Sequence, residues 1–65
     1  MDKFYKLLVN FSFGEPITRK RLLRIQGVTS NLIQEALDNE YIIETSASDI
    51  GEVRYLITNK GQKNL

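Results

Sequence analysis

At 65 residues the chain has room for one domain, residues 1–65, which hides only about 60% of its unfolded surface and so excludes a deep substrate pocket. A composition 42% hydrophobic and 26% charged is that of a globular protein, and the lack of cysteine and histidine excludes disulfides, thiolate or imidazole metal sites and the usual neutral-pH general base. The net charge is only +1, yet residues 1–26 hold six cations against Asp2 and Glu15, whereas residues 27–59 set Arg54 alone against six carboxylates.

In chain order, Phe4, Leu7, Leu8 and Phe11 recur at helical spacing and predict an amphipathic first helix within residues 2–13. Gly14-Glu15-Pro16 ends it, because proline lacks the amide proton and biases its predecessor towards extended geometry; residues 14–17 form a linker or a very short strand. Thr18 is a good N-cap, with Ile17 placed to pack on Leu22 as a hydrophobic staple. The second helix runs from Arg19 to about Ile25, with Leu22, Leu23 and Ile25 as its core side and Gly27 as its stop.

Thr29-Ser30-Asn31 can cap a third helix, whose apolar stripe is Leu32, Ile33, Ala36 and Leu37. The turn between the second and third helices is thus about three or four residues, the length of a helix-turn-helix connection. After Asn39 the period changes. Residues 41–45 and 53–57 are rich in β-branched and aromatic side chains and predict a two-stranded hairpin around the polar residues 46–51, with Gly51 free for positive φ and Ile50 at the tip. Thr58 can cap a last helical turn over residues 59–65. No apolar run exceeds three residues, so no membrane span or signal core is expected and a cytoplasmic location is the default.

Ile17-Thr18 with Leu22-Leu23, Gly27-Val28-Thr29, the stripe from Leu32 to Leu37 leading into Tyr41-Ile42-Ile43, and the closing stretch from Tyr55 to Gly61 follow one another in an order that resembles the winged helix-turn-helix superfamily, including MarR-like and PadR-like regulators. The resemblance covers nearly the whole chain. It implies an α+β, mainly α fold: three helices, then a two-stranded β-hairpin wing and a short C-terminal helical turn. It also implies a small regulator of transcription that binds double-stranded DNA. One position departs from the pattern: family members usually carry glycine before the aromatic-isoleucine start of the wing, and Glu40 stands there, so either Asn39 takes the left-handed cap or the helix ends differently.

In the resembled family the third helix enters the major groove by its N-terminal residues. Here these are Thr29, Ser30, Asn31 and Gln34, whose amides and hydroxyls suit base edges; the alternative is that Thr29 or Ser30 only caps the helix while the amides face water. Arg19, Lys20, Arg21 and Arg24 place four cations in six residues, with Arg19, Lys20 and Arg24 opposite Leu22 and Ile25. They suit phosphates, with Arg54 and Lys60 as further backbone contacts from the wing side, or they form an ordinary solvated face.

Glu35 and Asp38 on the exposed face of the third helix, with Asp49 and Glu52 in the wing, oppose a close approach by DNA. They support a second reading, a protein-interaction module that contacts a basic partner through Glu35, Asp38 and Glu52. Tyr5, Val9 and Phe13 widen the apolar face of the first helix, which either closes a small core or forms a homodimer interface. Scattered carboxylates without a phosphate-binding loop argue against an enzyme; no metal, cofactor or small-molecule substrate is expected.

Overall fold

The structure is a computed structural model that describes residues 3–45 and 52–65. The elements in chain order are α1 (Tyr5–Leu8), β1 (Ile17–Thr18), α2 (Arg19–Leu22), α3 (Ser30–Asp38), β2 (Ile42–Thr45), β3 (Arg54–Ile57) and α4 (Asn59–Lys63). The described residues thus form four helices and a three-stranded antiparallel sheet in the order β1-β3-β2. The expected hairpin of β2 and β3 is present, but the strand count is three among the described residues. Ile17 pairs with Tyr55 and Thr18 with Arg54, and the Arg19 amide extends the ladder to the Val53 carbonyl (2.8 Å). A two-residue strand is too short to show an alternating pattern in sequence, so its pairing is visible only in three dimensions.

Three threonines start three of the helices. Thr18, Thr29 and Thr58 all have extended backbones, and each hydroxyl accepts the amide three residues on, from Arg21 (3.2 Å), Leu32 (3.2 Å) and Gly61 (3.0 Å). Each satisfies one orphan donor of a first helical turn.

The first two helices are shorter than their sequence pattern suggests. α1 has no side-chain cap, and at its far end the Asn10 amide donates to the Lys6 carbonyl (2.6 Å), while Phe11 bonds back three residues to Leu8. The side-chain competitor and the tightened winding end the helix at Leu8, although Phe4, Leu7, Leu8 and Phe11 are all buried as the spacing requires. Beyond Leu22, Arg24, Ile25 and Val28 likewise bond three residues back, and this tighter turn leaves Leu23 exposed; Leu22 and a partly buried Ile25 alone form the core side of this segment.

The core comprises Leu7, Leu8, Leu22, Ile33 and Ile42, all fully buried, together with Ala36, Val28, Leu32 and the inward sheet residues Ile17, Tyr55 and Ile57. Ile43 pairs with Leu56 on the outer face, and Thr18, Arg54 and Thr45 form the next outer row. The expected wing tip, including Asp49, Ile50 and Gly51, lies outside the described residues.

The departure at residue 40 is resolved by Glu40 itself. Asn39 keeps right-handed geometry (φ −87°), and Glu40 takes the left-handed conformation (φ +62°) usual for glycine. The Glu40 amide then bonds to the Leu37 carbonyl (3.0 Å) and the Tyr41 amide to the Ala36 carbonyl (2.9 Å), the bond pair of a Schellman motif. Immediately beyond, a Cβ on Gly61 would overlap the Tyr41 carbonyl and come within 2.9 Å of Ile57 Cγ1, so only glycine lets α4 approach the start of β2 this closely.

Candidate nucleic-acid interface

At nine residues, α3 is about 14 Å long at roughly 1.5 Å per residue, while each other described helix has five residues or fewer. It is the one described helix long enough to follow a major groove about 12 Å wide. Its inward stripe, Leu32, Ile33 and Ala36, is buried, which turns Ser30, Asn31, Gln34, Glu35 and Asp38 to the surface.

The four residues expected at base edges differ in availability. Thr29 is exposed, but its hydroxyl oxygen serves as the α3 cap, which leaves its O–H and one lone pair for other partners. Ser30 and Asn31 are exposed, and no side-chain hydrogen bond engages them among the described residues. The Gln34 amide donates to the Asp38 carboxylate (3.1 Å), one turn further along the helix.

The acidic half of α3 is also engaged. Lys3 reaches across from the N-terminal segment to Glu35 (3.0 Å), and Gln34 occupies an oxygen of Asp38. The charge that opposes DNA is therefore partly compensated within the chain. Exposed pairs such as Lys3–Glu35 add little stability, but they do cancel local charge.

The six expected phosphate contacts do not form one cluster. Arg19 is half-buried and its guanidinium donates to the buried Tyr55 hydroxyl (3.1 Å), which leaves it less free than the exposed Lys20 and Arg24, although it borders one cleft with Lys20. Lys20 borders a cleft of about 330 Å³ with Leu23, Glu52 and Val53, and Arg21 borders another of about 390 Å³ with Asn10, Ser12 and Glu15. Lys20, Arg21 and Arg24 are exposed, and no ion pair engages their side chains among the described residues.

Arg54 lies in the outer row of the sheet between Thr18 and Thr45, on the opposite face from Tyr55 and its Arg19 partner. Lys60 sits elsewhere again: its ammonium lies 5.5 Å above the Tyr41 ring, which meets Phe4 edge-on at 4.9 Å. Because Tyr41 follows the C-terminal end of α3, Lys60 is placed at the opposite end of that helix from Ser30 and Asn31.

One cation near the turn between α2 and α3 carries no local sequence signal. Lys6, from α1, lies against Gly27, its Cδ 3.4 Å and Nζ 3.7 Å from where a Cβ would stand. Nothing in the spacing of residues 6 and 27 foretells that contact.

The apolar surface is divided as well. Tyr5 on α1 and Val9 at its C-cap are exposed one turn apart, but Phe13, 62% exposed, lines a shallow groove of about 300 Å³ with Ile43 and Leu56 on the outer sheet face. The structure thus places Phe13 with the sheet rather than in one stripe with Tyr5 and Val9. Among the described residues no three His, Cys, Asp or Glu side chains gather as metal ligands, and no helix is long and apolar enough to cross a membrane. No protein-family model, curated protein or solved structure matches the chain.

Proposed function

We propose that this chain is a small winged-helix protein that binds double-stranded DNA through α3 and regulates transcription, a reading that carries a cytoplasmic location with it. The observation that carries it is the exposed, unengaged pair Ser30 and Asn31 on the first turn of the longest described helix. The element order of helix, strand, helix, helix and hairpin supports the same reading. Asn31 has the donor–acceptor pair that matches adenine, and Ser30 serves either donors or acceptors. Lys20, Arg21 and Arg24 precede this turn in the chain and suit phosphates on either side of the groove.

Titration of the full chain with a mixed-sequence duplex tests the proposal. Affinity should fall linearly with salt on a log-log scale, and amide shifts should concentrate at residues 19–24 and 29–34. Salt-insensitive binding, or none at low salt, would refute it.

A second reading, a protein-interaction or dimerisation module, is favoured by the groove of Phe13, Ile43 and Leu56, where Phe13 is held outward in the Ser12–Glu15 turn. Sedimentation checks it: a concentration-dependent mass that Phe13→Ser abolishes is the expected result, and a monomer at all concentrations removes it.

A further inference from the structure

We propose that Lys6 is a phosphate-contacting residue, supplied by α1 to the turn between α2 and α3; this rests on the DNA-binding reading above. The Lys6 backbone is bonded and its side chain lies against Gly27. Behind it, the Asn10 amide bonds to the Lys6 carbonyl (2.6 Å) and fixes the backbone where α1 ends. In front, the stem crosses Gly27, whose φ of +89° and missing side chain leave a flat seat; the Cδ lies 3.4 Å from the position a Cβ would occupy. A lysine packed in this way keeps its methylenes against the protein and its charge in water.

Among the described residues the ammonium has no partner. Lys6 is exposed, and the ion pair found among the described residues joins Lys3 to Glu35. A cation whose stem is already ordered loses less side-chain entropy on meeting an anion than a free lysine does. Its position is also specific, because Gly27 lies two residues before Thr29 and three before Ser30. A DNA strand passing the start of α3 would therefore bring a phosphate to this ammonium. Lys6 differs in this from Lys60, whose charge rests over Tyr41 at the other end of the helix.

Counterion release gives the test. Each neutralised phosphate contributes a slope of about −0.9 to the dependence of log affinity on log salt. The wild-type chain, Lys6→Gln, Lys6→Arg and, as an equal change of net charge at an exposed residue of α4, Lys63→Gln are titrated with one duplex over a salt series. Lys6→Gln should weaken binding about three- to tenfold at low salt and make the slope about 0.9 less steep; Lys6→Arg should restore both. Lys63→Gln should leave the slope unchanged. If Lys6→Gln and Lys63→Gln act alike, Lys6 contributes only net charge and the assignment is wrong while DNA binding stands. If the wild-type chain does not bind the duplex, the reading beneath it fails and the assignment fails with it. A nuclear Overhauser contact between the Lys6 side chain and the Gly27 α-protons is expected without DNA, and its absence would overturn the seat itself.

Discussion

The two ends of α3 are built differently. At its C-terminal end nearly every polar group is occupied: Glu35 by Lys3, Asp38 by Gln34, and the Glu40 and Tyr41 carbonyls by the Thr58 hydroxyl (2.6 and 3.0 Å), with Lys60 above the Tyr41 ring. At the N-terminal end the Thr29 hydroxyl oxygen is used, while among the described residues no side-chain partner engages Ser30, Asn31 or the Lys6 ammonium. The occupied end ties the helix to the N-terminal segment, to the start of β2 and to the Thr58 cap of α4. The open end offers hydrogen-bonding groups to a ligand without any native bond having to break first, which separates stability from recognition along one helix.

That separation is best broken at Gly61. Gly61→Ala should cost about 1–3 kcal/mol, because the added methyl must displace the Tyr41 carbonyl and Ile57 that α4 packs against. Denaturant unfolding reads it, as a lower midpoint with little change in slope. An unchanged midpoint would mean that α4 does not seat closely on β2 in solution, and the occupied end would lose its anchor.

At the open end, Thr29 and Asn31 should part company. Thr29→Ala removes a cap and should cost about 1 kcal/mol of stability, while Asn31→Ala should leave stability within about 0.5 kcal/mol of wild type. Against a duplex series, Asn31→Ala should instead erase about 1–3 kcal/mol of discrimination at one base pair. If Asn31→Ala destabilises the fold as much as Thr29→Ala does, the N-terminal turn is structural too and the contrast between the ends disappears.

How far these features were legible in the sequence depends on the distance over which they are encoded. The threonine caps and the α3 stripe are local, set within four residues, and could be read directly from Thr18, Thr29, Thr58 and the spacing from Leu32 to Leu37. The third strand was legible only as one of two alternatives for residues 14–17, a linker or a very short strand, because Ile17 and Thr18 become a strand only by pairing with Tyr55 and Arg54, more than thirty residues away. Leu23 looks like a core residue until the backbone tightens after Leu22 and turns it outward. The candidate site follows the same rule. Ser30 and Asn31 were visible as cap-region polar residues, but the dispersal of Arg19, Arg54 and Lys60 onto separate faces, the Lys3–Glu35 pair and the seat of Lys6 on Gly27 all depend on long-range packing.

The smallest expected effect lies at the residue where local and long-range demands collide. Glu40 occupies left-handed backbone that costs a side-chain-bearing residue roughly 1–2 kcal/mol, and its carboxylate sits at the helix end where negative charge is unfavourable. Two substitutions separate these terms. Glu40→Gln removes the charge alone and should gain a few tenths of a kcal/mol; Glu40→Gly also relieves the backbone and, after the greater entropy lost by glycine on folding, should gain about 0.5–1 kcal/mol, a rise of roughly 2–8 °C in Tm. Neither change should alter the hydrogen bond from Thr58, which uses the main-chain carbonyl. Equal gains from both would assign the whole effect to charge and leave the left-handed turn without cost, whereas a loss of stability in Glu40→Gly would show that the glutamate side chain contributes to anchoring this end of α3.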